Sequence, residues 1–293
     1  MMSSLRDAGV YIALKAVAAA FLSTMLPART ELIRREFTMP FWNEKISNNV
    51  VDRLIRFHIA RAAGKSPDGA AFEQLHRNFW QKQNPEGWYE STHRRALTEY
   101  VPFVDRVLPA IIPFLERYSI ERICDIGTGS GAILNHLREM HGGTVNRFTG
   151  IDLSASEMEK NRFVYPEMEF ITADAVQWIP EHATDRTMYL TVGGVFEYLS
   201  QGTLEKTLRN LRQRTDDSIV VLICEPMETE FDLERDLQSR PFGSELSFLH
   251  NYPHLLSHTG WRVEMQMIET VGGQRAITLV AVPQAIDPPV PNA

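Results

Sequence analysis

Three carboxylates end consecutive apolar runs in the second half of this chain: Asp125 in Ile123-Cys-Asp-Ile126, Asp152 in Phe148-Thr-Gly-Ile-Asp152, and Asp174 in Phe170-Ile-Thr-Ala-Asp174. The first run leads directly into Gly127-Thr-Gly-Ser-Gly131. Glycines at every second position let a backbone turn sharply and approach a ligand without Cβ collision. Asp125 stands just before that loop and faces it, where a carboxylate attracts a cationic amino acid and repels a pyrophosphate. Asp152 is placed to accept hydrogen bonds from two ribose hydroxyls, and Asp174 from an adenine amino group. The loop also satisfies the dinucleotide pattern, with Gly127, Gly129 and Ala132 in its small-residue positions and Asp152 following, so a nicotinamide-dependent oxidoreductase stays open as an alternative. Local roles stay open too: Asp174 can cap a helix from Ala175, and Asp125 can brace the loop by accepting backbone N–H groups.

Further along, Thr191-Val-Gly-Gly-Val-Phe-Glu-Tyr-Leu199 follows the fourth apolar run and puts Glu197 nearest the expected site. That carboxylate can act as general base or hold a substrate amine; a solvated or helix-capping glutamate is the plain alternative. In Phe248-Leu-His-Asn-Tyr-Pro-His254, His250 or His254 can take a proton near neutral pH, or serve only as structure. The two cysteines, Cys124 and Cys224, end apolar runs and read as free core thiols in a reducing, cytoplasmic setting. They cannot supply a zinc cluster or an iron–sulfur ligand set, and no metal site is expected.

The elements that must position these residues follow from the pattern. After Ser119 the runs Arg122–Ile126, Arg147–Leu153, Met168–Thr172, Thr187–Val192 and Ile219–Cys224 alternate with helix-length segments, which means βαβ units and a parallel sheet covered on both faces. The runs Trp261–Ile268 and Ala276–Val282 are joined by a segment too short for a crossover helix and must form an antiparallel hairpin. Residues 1–118 carry no strand signal and read as a helical appendage. Within it, Ile46, Val50, Leu54 and Phe57 mark one apolar helix face before Gly64, and Phe72, Leu75 and Phe79 mark another after Asp68. A further helix over 103–117 should bend at Pro109 and Pro113. The organisation predicted is an appendage at 1–118, an α/β domain at 119–283 and a loose Pro-rich tail at 284–293.

Together the glycine loop and the three spaced carboxylates resemble the class I S-adenosylmethionine-dependent methyltransferase family, whose loop reads D-x-G-x-G-x-G, over roughly residues 119–283. The resemblance implies a Rossmann-like seven-stranded sheet and methyl transfer from S-adenosylmethionine, leaving S-adenosylhomocysteine; a catalytically silent methyltransferase-like domain that binds partners without turnover stays open as an alternative. It also implies that Asp125, Gly127, Gly129 and Gly131 hold the methionine portion, Asp152 the ribose, and Leu153, Asp174 and Ala175 the adenine. No D/N-P-P-Y/F/W motif of the base- and glutamine-modifying relatives follows the fourth strand, and the metal ligands of catechol-type relatives are not found there.

Charge narrows the acceptor. Residues 1–118 carry 16 Lys/Arg against 12 Asp/Glu, whereas residues 119–293 carry 14 against 25. An acidic main domain repels polyphosphate, so nucleic acid is not an expected partner and a small-molecule acceptor is. Residues 8–26 are apolar enough to pose the question of a membrane span, but Lys15 near their middle costs about 2.5–3.5 kcal/mol on insertion scales, which favours a packed or interfacial helix. The sequence leaves the oligomeric state open. Finally, the methyl carrier must be shielded from water, and residues around Trp88–Arg95 are close enough in sequence to the loop to lid it.

Overall fold

A computed structural model describes residues 15–35, 50–63, 69–82, 93–141, 145–227, 231–242, 247–271 and 274–284. They divide into two units, one of residues 1–85 with 241–247 and one of residues 86–240 with 248–293. Ile46, Gly64, Asp68 and the Pro-rich tail beyond Gln284 lie outside the described residues.

In the first unit the chain forms helices α1 (Lys15–Met25), α2 (Pro27–Arg35), α3 (Val50–Ala63) and α4 (Ala70–Lys82). Ile55 and Ile59 are the buried aliphatic residues of α3, while Val50 is 66% exposed. The expected face through Val50 is therefore rotated by about one residue, which turns a helix surface by roughly 100°. On α4, Phe72 and Leu75 are buried as the pattern required. Asp52 of α3, itself buried, accepts from the Arg29 guanidinium of α2 through both carboxylate oxygens, at 3.0 and 2.5 Å. No single helix among the described residues is long and apolar enough to cross a membrane; α1 and the start of α2 reach that hydropathy only as a pair bent by 108°.

The second unit holds a seven-stranded sheet. Its strands are β1 (Arg122–Ile126), β2 (Arg147–Asp152), β3 (Glu169–Thr172), β4 (Thr187–Val192), β5 (Ile219–Pro226), β6 (Trp261–Val271) and β7 (Gln274–Pro283), in the spatial order β3-β2-β1-β4-β5-β7-β6. β1 to β5 pair in parallel, and β7 pairs antiparallel with both β5 and β6. Pairing in the terminal hairpin runs on to Val271 and Gln274, so its strands are longer than the apolar runs suggested.

Helices fill both faces because the strands are apolar on both. α5 (Val101–Arg117), α6 (Ala132–His141) and α7 (Ala155–Val164) pack with Ile123, Leu190 and Val280; α8 (Ala175–His182), α9 (Gln201–Arg214) and α10 (Tyr252–His258) pack with Cys124, Tyr189 and Leu279. Burial pushes the Cys124 thiol far above its ordinary range, as expected of an inert core thiol. α5 runs through Pro109 and Pro113 without a break. Two interior prolines cost about 3 kcal/mol each, whereas Phe103, Val104, Val107, Leu108, Ile111 and Leu115 each return about 1.5–3 kcal/mol on burial, so packing wins. The unit that contains the sheet thus begins at residue 86, ahead of the boundary at 118 that the onset of strands suggested.

Candidate cofactor and active site

From β1 the chain winds one way through β2 to β3, and from β4 it continues the other way to β5, so successive connections diverge between β1 and β4. Divergence opens a crevice at the carboxyl ends of these strands, where open α/β sheets bind ligands. Every residue of the glycine turn sits at this edge.

Gly127, Gly129 and Gly131 all have left-handed backbone, with φ of 74°, 50° and 71°. Two of them fit the turn to the protein itself: a Cβ at Gly127 would collide with the Val195 side chain, and one at Gly131 would lie 3.1 Å from the Phe170 ring. A Cβ at Gly129 would meet nothing within 4 Å. The middle glycine therefore faces open space. Its backbone is pinned from both sides, the N–H donating to Asp152 Oδ2 at 3.0 Å and the carbonyl accepting from Asn161 Nδ2 of α7 at 2.7 Å. Other amides of the turn are also committed: those of Gly127 and Thr128 donate to the Ile151 carbonyl, and that of Gly131 to the Thr128 carbonyl. A phosphate cradle presents such N–H groups to its ligand, and these are spent within the protein.

Asp125 is 3% exposed at the end of the central strand. Burial pushes its carboxyl up to about 7; the Asp152 carboxylate adds to this, and the Thr128 hydroxyl opposes it. Burial also raises Asp152, against hydrogen bonds from the backbone of Ser154, Gly129 and Leu153. Two neighbouring carboxylates in this condition gain more from an arriving cation than from any neutral group. Asp152, expected to meet a ribose, already accepts from Gly129 and from Ser154 N–H at 2.9 Å, and so braces the loop as well. A carboxylate has further lone pairs to offer hydroxyls. Asp174 Oδ1 accepts from Val176 N–H at 3.0 Å as the N-cap of α8, the local role left open above. Leu153 and Ala175 beside these carboxylates are half-buried.

Across the crevice, β4 ends in Gly193 and Gly194, both left-handed, followed by a short 3-10 turn at Phe196–Tyr198. Glu197 is buried with its carboxylate against Gly194. His250 corrects an expectation. Its Nε2 lies 3.1 Å from the Phe196 carbonyl and its Nδ1 2.6 Å from Ser239 Oγ, and burial lowers it to about 4. Both nitrogens of a neutral ring are engaged, which leaves it no site to take a proton from substrate. His254 lies on α10 with its ring 4.0 Å from that of His258.

The segment before α5 touches both walls. His93 Nδ1 is 3.1 Å from Ser130 Oγ in the glycine turn, and the Tyr100 ring would lie 3.2 Å from a Cβ at Gly193. Tyr100 ends a π-helical turn over Ala96–Tyr100. Residues 83–92, including Trp88, lie outside the described residues.

Sequence reasoning passed over Asn161, Thr191, Glu225 and Tyr252. Glu225 is fully buried and accepts from Thr191 Oγ1 at 2.6 Å and from Tyr252 Oη at 3.0 Å. The available signal was a charge closing the apolar run Ile219–Cys224, at the carboxyl end of a parallel strand.

With this geometry, comparison with known proteins is direct. Residues 123–217 match the model of a methyltransferase domain. Within that span the chain carries a methyltransferase domain. No curated protein matches it in sequence. Among solved structures, the fold is similar to magnesium protoporphyrin IX methyltransferase (ChlM) from Synechocystis PCC 6803 with bound SAH, at 14% identity and TM-score 0.52, covering 73% of this chain and 100% of that one. It is also similar to SAM-bound CalS10, an amino pentose methyltransferase from Micromonospora echinaspora, at 13% identity and TM-score 0.50, covering 67% and 96%. The LepI complex with SAM aligns over 58% of this chain at 15% identity and TM-score 0.45, and the match spans only 46% of that protein's length. At these identities the shared property is the fold of the methyltransferase domain.

Proposed function

We propose that this protein transfers a methyl group from S-adenosylmethionine to a small-molecule acceptor. The observation that carries the reading is the pairing of a buried Asp125, raised to about 7, with a glycine turn in which the Gly127, Thr128, Gly129 and Gly131 amides are spent internally and Gly129 faces open space. A ligand entering there must bring a positive charge and need no phosphate cradle. The aminoacyl end of S-adenosylmethionine meets that demand, and the pyrophosphate of a nicotinamide dinucleotide does not.

In this reading Asp125 takes the ammonium group, Gly129 gives the chain of the methionine portion room, Asp152 receives the ribose hydroxyls, and Leu153, Asp174 and Ala175 line the adenine. Bound cofactor supplies an electrophilic methyl on a sulfonium, whose thioether is already a good leaving group. The protein's share is alignment and exclusion of water. His93 and Tyr100, which reach the turn after β1 and the turn after β4, flank the acceptor pocket, and Glu197 accepts a proton where the nucleophile carries one.

Calorimetry of the full chain with S-adenosylmethionine, S-adenosylhomocysteine and NADH tests the reading. The first two should bind and the third should not. Tighter binding of NADH would overturn it.

A further inference from the structure

The loop after β4 is held in an unusual way at one peptide unit. Glu225, on β5, accepts hydrogen bonds from Thr191 Oγ1 and Tyr252 Oη, and the backbone N–H groups of Val195 and Phe196 lie near enough to its carboxylate to favour the charged form. His250, on the opposite side of the same residue, lies with Nε2 3.1 Å from the Phe196 carbonyl. Phe196 is thus gripped at its N–H by one buried side chain and at its C=O by another. Glu225 and His250 are 0% and 4% exposed, and the hydrogen bonds just named commit their polar atoms to the protein. What the grip controls is one residue away. Val195 occupies the space that a Cβ at Gly127 would need, so the loop after β4 abuts the first glycine of the cofactor turn. Glu197, the proposed proton acceptor, is the next residue on the other side.

We propose that Glu225 and His250 are positioning residues that clamp Phe196 and thereby set Val195 against the glycine turn and Glu197 beneath Gly194. Burial raises the Glu225 carboxyl above its ordinary range, and the donors that converge on it, the Thr191 and Tyr252 hydroxyls first, oppose that rise. Ser239 completes the other jaw: with Nε2–H donating to Phe196, His250 Nδ1 must accept, and the Ser239 hydroxyl 2.6 Å away supplies the proton. Glycine at 193 and 194 gives the loop its sharp left-handed turn but no stiffness of its own, so rigidity has to come from side chains outside it. This role rests on the cofactor reading only in its consequence for binding; the clamp itself is a property of the apo chain.

Amide hydrogen exchange tests it. In the wild-type apo protein, Val195 and Phe196 should exchange at least about tenfold more slowly than Gly193 and Gly194, since a charge-assisted hydrogen bond protects by that factor or more. Glu225→Gln, which turns a donor toward two N–H groups, and His250→Ala should each remove most of that protection across 193–199 and leave β2 and β3 unchanged. His250→Gln, whose amide N–H reaches the position of Nε2, should restore it. The dissociation constant for S-adenosylhomocysteine should rise about tenfold in Glu225→Gln and His250→Ala and return toward wild type in His250→Gln, as expected when one such bond's worth of preorganisation is lost and regained. Equal exchange at residues 193–196 in the wild type would overturn the clamp even if a variant failed to fold. So would variants that loosen the whole sheet uniformly, or a His250→Gln no better than Ala. If the wild type bound no S-adenosylhomocysteine, the cofactor reading would fail and the exchange comparison would still decide the clamp.

Discussion

Lowering the pH from 7 to 6 should weaken cofactor binding by about fivefold through one group, Asp125. Its carboxyl is 3% exposed and held up to about 7, so it is about half ionised at pH 7 and about one-tenth ionised at pH 6. Only the ionised form attracts an ammonium group. The apparent affinity follows that fraction, falling about fivefold over the first unit and approaching tenfold over the next. Binding should lower the Asp125 pKa and release about half a proton at pH 7, measurable by calorimetry in buffers of different ionisation enthalpy. Asp125→Asn keeps the shape, removes the titration, and should bind S-adenosylhomocysteine about 10–100-fold more weakly than wild type at pH 7, with little slope between pH 6 and 7. The stability consequence has the opposite sense. Because the folded pKa lies above the ordinary 3.8, this group's contribution is fully present below pH 4 and is lost as pH rises through 7. At pH 8 without ligand the Asn variant should therefore be the more stable protein, by at most about 4 kcal/mol. A wild-type affinity unchanged within twofold between pH 7 and 6, in protein shown folded by circular dichroism, would refute the reasoning.

Other perturbations separate ligand contacts from bracing. Gly129→Val should abolish the thermal shift produced by S-adenosylhomocysteine while costing only the roughly 1–2 kcal/mol of a left-handed non-glycine residue, whereas Gly127→Val should destabilise the apo protein more, because its side chain strikes Val195. Asp152→Ala should lose about 2–4 kcal/mol of cofactor affinity and also speed exchange at Gly129, since the carboxylate serves both; an unchanged dissociation constant would remove it from the site. Asp174→Ala should cost about 0.5–2 kcal/mol of stability for the lost cap of α8, and Asp174→Ser should recover it. Any loss of affinity that persists in the Ser variant measures contact with the cofactor. Saturating S-adenosylhomocysteine should slow exchange over residues 93–100 as well as over 127–131; protection confined to residues 123–175 would show that the segment carrying His93 and Tyr100 does not close on the site.

What was legible in the sequence has local causes. Alternating apolar runs and helix-length segments dictate a parallel sheet because a strand buried on both faces cannot be written otherwise. Glycine at 127, 129 and 131 announces left-handed backbone because no other residue adopts it cheaply in succession. Carboxylates closing apolar runs mark the carboxyl ends of the strands, and Asp125, Asp152 and Asp174 all lie at that edge of the sheet. Tertiary structure decided what each group has left to offer once its neighbours are in place. Asp152 and Asp174 turned out to be partly spent on backbone N–H groups. His250 is buried and neutral between Ser239 and Phe196, because its environment comes from residues far away in the chain. Val50 stands exposed although the apolar pattern put it on the buried face of α3, because the helix packs through Ile55 and Ile59. Glu225 shows the limit most plainly: its four donors come from β4, the loop after it and α10, and no spacing within the sequence brings those together. Chemistry that depends on which atoms remain free is fixed only when the chain has closed on itself.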